Sequence, residues 1–288
     1  MICGTEEMSK FQIGSSFNSS KSGATSVALN SDYTLCLSGN KKGKIYIYLL
    51  LCFIHCIGHV TIFSYATGEQ IFDKKAHSHI LNVFWIGLSS HFVSSCEDGS
   101  VSLWTTTDSK SWTAHNHKLD LPIVNIEQHP CEKYMLATFS NSFALLDMKF
   151  NVLMEVKTEN TCTITASNVH PDGALLAIGT MTGQIYMYDL KTQQKVHTFD
   201  TIGQTQYLCF SENGYFLASF SAGDSFVNIW DLRKLVCLTK LEVPGAVTGL
   251  KWDKSGTFIG AVCGAELVYI FLLIYNCPFI YTLNYYSF

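Results

Sequence analysis

Two pairs of histidines stand one residue apart in this chain, His77-Ser78-His79 and His115-Asn116-His117. On an extended strand residues i and i+2 share a face, so each pair could offer two imidazoles to one metal ion. Both pairs follow an alanine in segments leading into a sheet, where a histidine serves more often as a structural hydrogen-bond partner, and that reading is preferred. Cys52 and Cys56 come closest to ligand spacing among 11 cysteines, which are otherwise scattered singly with no CxxC pair. Such usage points to buried thiols in a reducing compartment, neither a disulfide framework nor a zinc site. A GxSxG elbow, an HExxH pair and a phosphate loop are missing, and Gly179-Thr180-Met181-Thr182-Gly183 reads as a strand turn. The sequence therefore assigns no catalytic, cofactor-binding or metal-ligating residue.

What recurs instead is aspartate near an aromatic. Asp98 stands six residues before Trp104 and Asp224 six before Trp230, and the pairs Tyr188-Asp189 and Trp230-Asp231 close two units. An aspartate in a turn can bond its own turn backbone, so the reading of these residues is structural. They belong to a repeating grammar. The polar turn Ser211-Glu212-Asn213-Gly214 leads into 215–218, then a Ser/Ala/Gly/Asp turn, then the alternating run 226–230: two strands and a tight turn. His170-Pro171-Asp172-Gly173 with 174–179 and 184–189 repeats it, as do 91–104 and, more weakly, 134–147 and 257–271, while 33–39 opens the earliest unit. A repeat of roughly forty residues signals a propeller of four-stranded blades, about six of them recognisable of an expected seven or so. The grammar resembles that of WD-repeat proteins, where the turn aspartate also bonds a histidine in the loop before the blade, as His77 could with Asp98.

The expected fold is thus all-β, a WD-repeat β-propeller over 23–271, behind a flexible segment 1–22 and ahead of an apolar tail 272–288. A net charge of -4, with no Lys/Arg cluster longer than pairs such as Lys41-Lys42, argues against a direct nucleic-acid groove. The start of the chain is polar and serine-rich, with no signal peptide. Mean hydropathy is raised to +0.18 by two apolar runs, 45–57 and the stretch beginning at Leu267. The first is too short to span a bilayer and the second is broken by Asn276 and Pro278, so no membrane contact is expected. Both 42–48 and 58–64 fit the third strand of the first blade, which has room for one. Deleting 43–57 would join Lys42 to Gly58 and restore the repeat, so that stretch reads as a non-native insertion, an unremoved in-frame intron, with the tail after about Phe271 a similar readthrough.

The motifs HPDG at 170–173, GTM at 179–181, SENGY at 211–215, WDLRKL at 230–235 and SGT at 255–257, in that order and spacing, are more specific than a generic WD signature. Together they resemble the WD-repeat domain of the pre-mRNA-processing factor 19 family, closely over about 160–271 and more weakly over 23–157. The resemblance implies a nuclear scaffold of the spliceosome, belonging to ubiquitin ligases in which a U-box recruits the ubiquitin-conjugating enzyme, a coiled coil tetramerises the chain and the propeller binds substrates and spliceosomal partners. Ubiquitin conjugation and DNA repair are further roles it implies. Residues 1–22 are too short for a U-box and no long heptad pattern appears. Ligase activity and oligomerisation are accordingly not expected of this polypeptide alone, and the chain reads as either a truncated gene product or a stand-alone propeller.

Under this reading the chain is an interaction scaffold with no cofactor, whose structural signature residues are His77, Asp98, Trp104, Tyr188, Asp189, Asp224, Trp230 and Asp231. Its recognition surface is expected on the loops 77–80, 118–122, 161–165, 203–206 and 243–246, because connecting loops on a rigid scaffold carry recognition. A generic WD adaptor outside splicing is the alternative.

Overall fold

The computed structural model describes the backbone of residues 13–17, 24–29, 35–40, 45–48, 59–64, 70–78, 80–86, 91–107, 111–158, 162–253, 255–263, 267–272 and 283–285, with side chains at 60, 62 and, within those ranges, from 71 to 263. The described elements are all strands, and they fall into two compact units. The first unit comprises Met1–Cys96 and Ser100–Lys118, the second Glu97–Gly99 and Leu119–Phe288.

In the first unit β1 (Ile13–Phe17), β2 (Ala24–Leu29), β3 (Leu35–Asn40), β4 (Ile45–Tyr48), β5 (His59–Ser64) and β6 (Gln70–Lys75) precede β7 (Val83–Ile86), β8 (His91–Ser95), β9 (Ser100–Thr105) and β10 (Thr113–Lys118). One sheet has the order β2-β3-β5-β6 and another β7-β8-β9-β10, while β1 and β4 pair separately. The two candidates for the third strand of the first blade are thereby resolved. Strand β5 pairs with β3 from Asn40↔His59 to Leu35↔Ser64, and β4 leaves the sheet to pair with β1.

The second unit holds four more such sheets in simple chain order. They are β11 (Ile123–Gln128), β12 (Tyr134–Phe139), β13 (Ser142–Asp147) and β14 (Val152–Lys157); β15 (Ile164–Val169), β16 (Leu175–Thr180), β17 (Gln184–Asp189) and β18 (Gln194–Asp200); β19 (Thr205–Phe210), β20 (Phe216–Ser221), β21 (Phe226–Asp231) and β22 (Val236–Glu242); and β23 (Val247–Trp252), β24 (Phe258–Cys263), β25 (Leu267–Leu272) and β26 (Leu283–Tyr285). These four sheets are antiparallel meanders, the blade architecture of a WD β-propeller. Among the described residues no helix is long and apolar enough to cross a membrane.

Burial explains the sequence pattern. Second strands such as β16 (LLAIGT) and β20 (FLASFS) are buried nearly throughout, because sheets cover both of their faces, so they read as continuous small and apolar runs. Outermost strands such as β10, β14 and β22 are mostly exposed, whether polar as in β10 (TAHNHK) or apolar as in β14 (VLMEVK). The core of the second unit lies between neighbouring sheets. Tyr186 and Tyr188 pack with Leu136 and Phe143, Leu217 and Trp230 pack with Ile185 and Met187, and Trp252 packs with Phe216 and Ile229. In the first unit Trp85, Phe92, Trp104 and Trp112 form an aromatic cluster with the Phe72 ring.

Candidate interaction surface

The tryptophans of the expected signature are tied into their own sheets. Trp104 is buried, its indole N–H donates to Ser94 Oγ at 2.9 Å, and Ser94 Oγ lies 2.9 Å from Nε2 of His77. The partner shown for His77 is thus a buried serine that the sequence pattern did not single out. Trp230 repeats the first link, donating to Ser219 Oγ at 2.9 Å. Trp104 pairs with Phe92 and Trp230 with Leu217, so Ser94 and Ser219 each lie two residues beyond the pairing partner. The same position opposite Tyr188 is Ile178, and Tyr188 instead sets its ring edge-on to Phe143 at 5.2 Å.

The aspartates cap turns. Asp224 accepts from the Phe226 N–H at 3.1 Å and from Asn228 Nδ2 at 3.2 Å, while Asp98 stands exposed on its hairpin. Asp189 accepts from the backbone N–H groups of Lys191 and Thr192, and Asp231 from those of Arg233 and Lys234. Both turns close with a residue at positive φ, Gln193 at 61° and Leu235 at 56°. The Arg233 guanidinium, 2.9 Å from the buried Asp231 carboxylate, holds that carboxyl below its usual range. The bond from the Thr192 N–H does the same for Asp189.

Two histidines outside the expected set join neighbouring sheets. His129 donates from Nε2 to the Gly173 carbonyl at 2.9 Å, and His170 donates from Nε2 to the Gly214 carbonyl at 2.9 Å. Each reaches the turn between first and second strands of the next sheet, and the signal was in view: HP recurs at 129–130 and 170–171. The glycines permit the approach, since Gly173 and Gly214 have φ of 75° and 71° and an added Cβ would lie within 2.7 Å of the histidine ring. Asp172 Oδ1, 2.6 Å from His170 Nδ1, anchors the second imidazole.

A polar seam joins the first strands of the same unit. Asn168 Nδ2 donates to Glu127 Oε2 at 2.8 Å, and its Oδ1 accepts from the Phe210 N–H at 2.8 Å. Thr165 donates to the Thr205 carbonyl at 2.6 Å, and the Trp252 indole to the Cys209 carbonyl at 2.9 Å. Burial pushes the Glu127 carboxyl up to about 7, against the lowering pull of the Val169 N–H, Lys251 and Asn168. Nothing in the sequence marked Glu127.

His115 and His117 are exposed on β10, the outermost strand of its sheet rather than a segment leading into one. His79 lies outside the described residues, as do Cys52 and Cys56. Among the described residues no three His, Cys, Asp or Glu side chains converge as a metal site. The exposed apolar side chains on the loops of the second unit include Leu121, Met181 and Ile202. Of the expected recognition loops, 203–206 and 243–246 lie at the same end of the sheets as Met181 and Ile202, whereas part of 161–165 is outside the described residues.

Repeating sheets, indole–serine links and capped turns define a WD-repeat β-propeller protein, and the WD domain, G-beta repeat pattern matches residues 68–105 and 194–231. More particularly, the domain is like the WD domain of pre-mRNA-processing factor 19. The chain is 27% identical over 217 residues to pre-mRNA-processing factor 19 homolog 2 of Arabidopsis thaliana, covering 72% of this chain and 40% of that protein. It is 26% identical over 220 residues to pre-mRNA-processing factor 19 of Oryza sativa, covering 72% and 41%. It is also similar to the small ribosomal subunit protein RACK1 of Brassica napus, 31% identical over 98 residues, covering 34% and 29%. The chain thus spans about 40% of the length of the factor 19 relatives it matches.

Proposed function

We propose that this chain is a protein-interaction scaffold acting in pre-mRNA splicing in the nucleus, and that within a longer protein it captures substrates for ubiquitination. The observation that carries the reading is the extent of the factor 19 likeness, 72% of the chain, against 34% for RACK1. The chemistry agrees with binding rather than catalysis, because the signature side chains are spent on turns and indole–serine links. The partners are splicing proteins, and no nucleic-acid, membrane or cofactor contact is part of the proposal. The test is affinity purification of the tagged chain from nuclear extract followed by mass spectrometry. Enrichment of splicing proteins over a charge-matched control is expected. Their absence, with recovery of ribosomal or cytoplasmic complexes, overturns the splicing assignment in favour of a generic WD adaptor, the reading that the RACK1 likeness favours.

A further inference from the structure

The two ends of the middle sheets in the second unit differ in the side chains they present. At one end lie the turn 181–183, the loop 201–204, the turn 222–225 and the loop 243–246, tied together by short backbone bonds. Thr201 N–H donates to the Gly183 carbonyl at 2.7 Å, Ala222 N–H to the Gln204 carbonyl at 2.7 Å, and Val243 N–H to the Ser225 carbonyl at 2.9 Å. The glycines let these loops touch, since a Cβ on Gly183 would lie 2.9 Å from the Gly203 carbonyl oxygen and one on Gly203 would lie 2.8 Å from that of Ala222. Three apolar side chains stand out from this rim: Ile202 at 67% exposure, Met181 at 50% and Phe226 at 36%.

Around them are Asp200, Asp224 and Glu242, while 180–184, 200–206, 221–226 and 242–247 contain no lysine or arginine. Asp200 accepts from Gln184 Nε2, Asp224 caps its own turn, and Glu242 stands opposite Phe226 in the ladder. One base, Lys240, lies two residues before Glu242 on β22, opposite Asn228, while Lys191, Arg233 and Lys234 flank the capped turns at the other end. Beneath the apolar rim Thr205 is fully buried, and its Oγ1 has no hydrogen-bond partner among the described residues. A buried hydroxyl left unpaired calls for a water or an incoming polar group.

We infer that this rim is a docking surface for a peptide segment of a partner protein in which lysine or arginine alternates with aliphatic side chains. Exposed Ile202, Met181 and Phe226 supply the apolar contact, and the three carboxylates select the sign of charge and steer the encounter. An acidic peptide of equal apolar content is repelled. The inference rests on the scaffold reading above and names the chemistry of one partner.

The probes are two fluorescein-labelled peptides, one of alternating lysine and leucine and one of alternating glutamate and leucine, titrated with the full chain by fluorescence anisotropy at low and at physiological salt. The lysine peptide binds and weakens as salt rises; the glutamate peptide does not bind. The variant D200N/D224N/E242Q weakens lysine-peptide binding by about tenfold, and Glu212→Gln at the other end leaves it unchanged. Asparagine at 224 keeps the Oδ1 that caps the turn but sets an amide N–H against Asn228 Nδ2, so Ile202→Ser, at a highly exposed position, gives a second loss should the triple variant fail to fold. Equal binding of both peptides, or undiminished binding by the neutralised or Ile202→Ser chain, overturns the inference. The two readings fail separately. Splicing proteins recovered equally by parent and neutralised chains, with no peptide selectivity, remove the docking surface alone. Charge-selective peptide binding without any splicing protein in the extract removes the splicing assignment alone.

Discussion

Replacing Gly214 with alanine loads two separate costs onto one atom. The residue lies at φ 71°, where a side chain costs about 1–2 kcal/mol. The new Cβ would also lie 2.7 Å from Cε1 and from Nε2 of His170. That ring cannot step aside freely. Its Nε2 donates to the Gly214 carbonyl at 2.9 Å, its Nδ1 is 2.6 Å from Asp172, and its edge meets Phe210 at 5.0 Å. Overpacking against a held group adds about 1–3 kcal/mol, so Gly214→Ala is expected to cost about 2–5 kcal/mol in all. In a His170→Ala background the clash disappears and only the backbone cost of about 1–2 kcal/mol remains. A double-mutant cycle read from urea unfolding midpoints should therefore show a coupling of about 1–3 kcal/mol, with loss of the histidine relieving the alanine. Gly223 is the control: its φ is 80° but an added Cβ meets nothing within 4 Å, so Gly223→Ala should cost the same in both backgrounds. Additivity within about 0.5 kcal/mol at Gly214, or equal costs at Gly214 and Gly223, refutes the claim that these turns interlock.

Two further outcomes follow from other parts of the chain. Asn40 and His59 pair directly, so deleting 43–57 leaves Lys41-Lys42-Gly58 as the hairpin turn, matching Met181-Thr182-Gly183 between Thr180 and Gln184. Shortening the closed loop from 41–58 to that turn recovers about 1.6 kcal/mol of closure entropy and removes the β1–β4 ladder; a net gain, read as a higher thermal midpoint and better solubility, is expected, and a lower midpoint sinks the view that 43–57 is foreign to the repeat. The Glu127 carboxyl, raised from 4.5 to about 7, binds its proton more tightly in the folded chain. Its stabilising contribution is therefore full below pH 4.5 and lost as pH rises through about 7. Glu127→Gln keeps an acceptor for Asn168 and should flatten that part of the stability profile; an unchanged pH dependence from midpoint measurements counts against it.

The second and third strands of each blade were legible because they are the most constrained. Strands buried on both faces, such as 175–180 and 216–221, demand small or apolar residues throughout, and the hairpin that follows demands glycine or aspartate at fixed offsets. The choice between 42–48 and 58–64 was legible only as an ambiguity, since each segment suits a third strand and pairing with β3 decides between them. The outer strands were not legible, because β14 and β22 face solvent and little restricts their composition. Ser94 and Ser219 escaped notice for a different reason. Serine is a common residue in this chain, and it becomes informative only when the ladder shows it two residues past the partner of a tryptophan. Glu127 and Asn168 lie on different strands 41 residues apart, and no local pattern marks their contact.

The repeat also indicates where recognition cannot lie. Asp189 and Asp231 have their carboxylates filled by backbone N–H groups, Trp104 and Trp230 have their indoles on serines, and His129 and His170 have their Nε2 atoms on the next turn. A side chain whose polar atoms are already bonded must break those bonds to hold a partner, at a cost of about 1–3 kcal/mol for each buried group left unpaired. The most recognisable residues are therefore poor candidates for specificity. Positions the blade leaves open are better ones, and in the second unit these include Phe226 at the start of β21 and Met181 and Ile202, which lie in turns where Gly183 and Gly203 let neighbouring backbones touch. Rigid turns let such side chains bind without paying again for loop ordering, so differences in partner choice between chains of this fold should track substitutions at those rim positions rather than changes in the repeat signature.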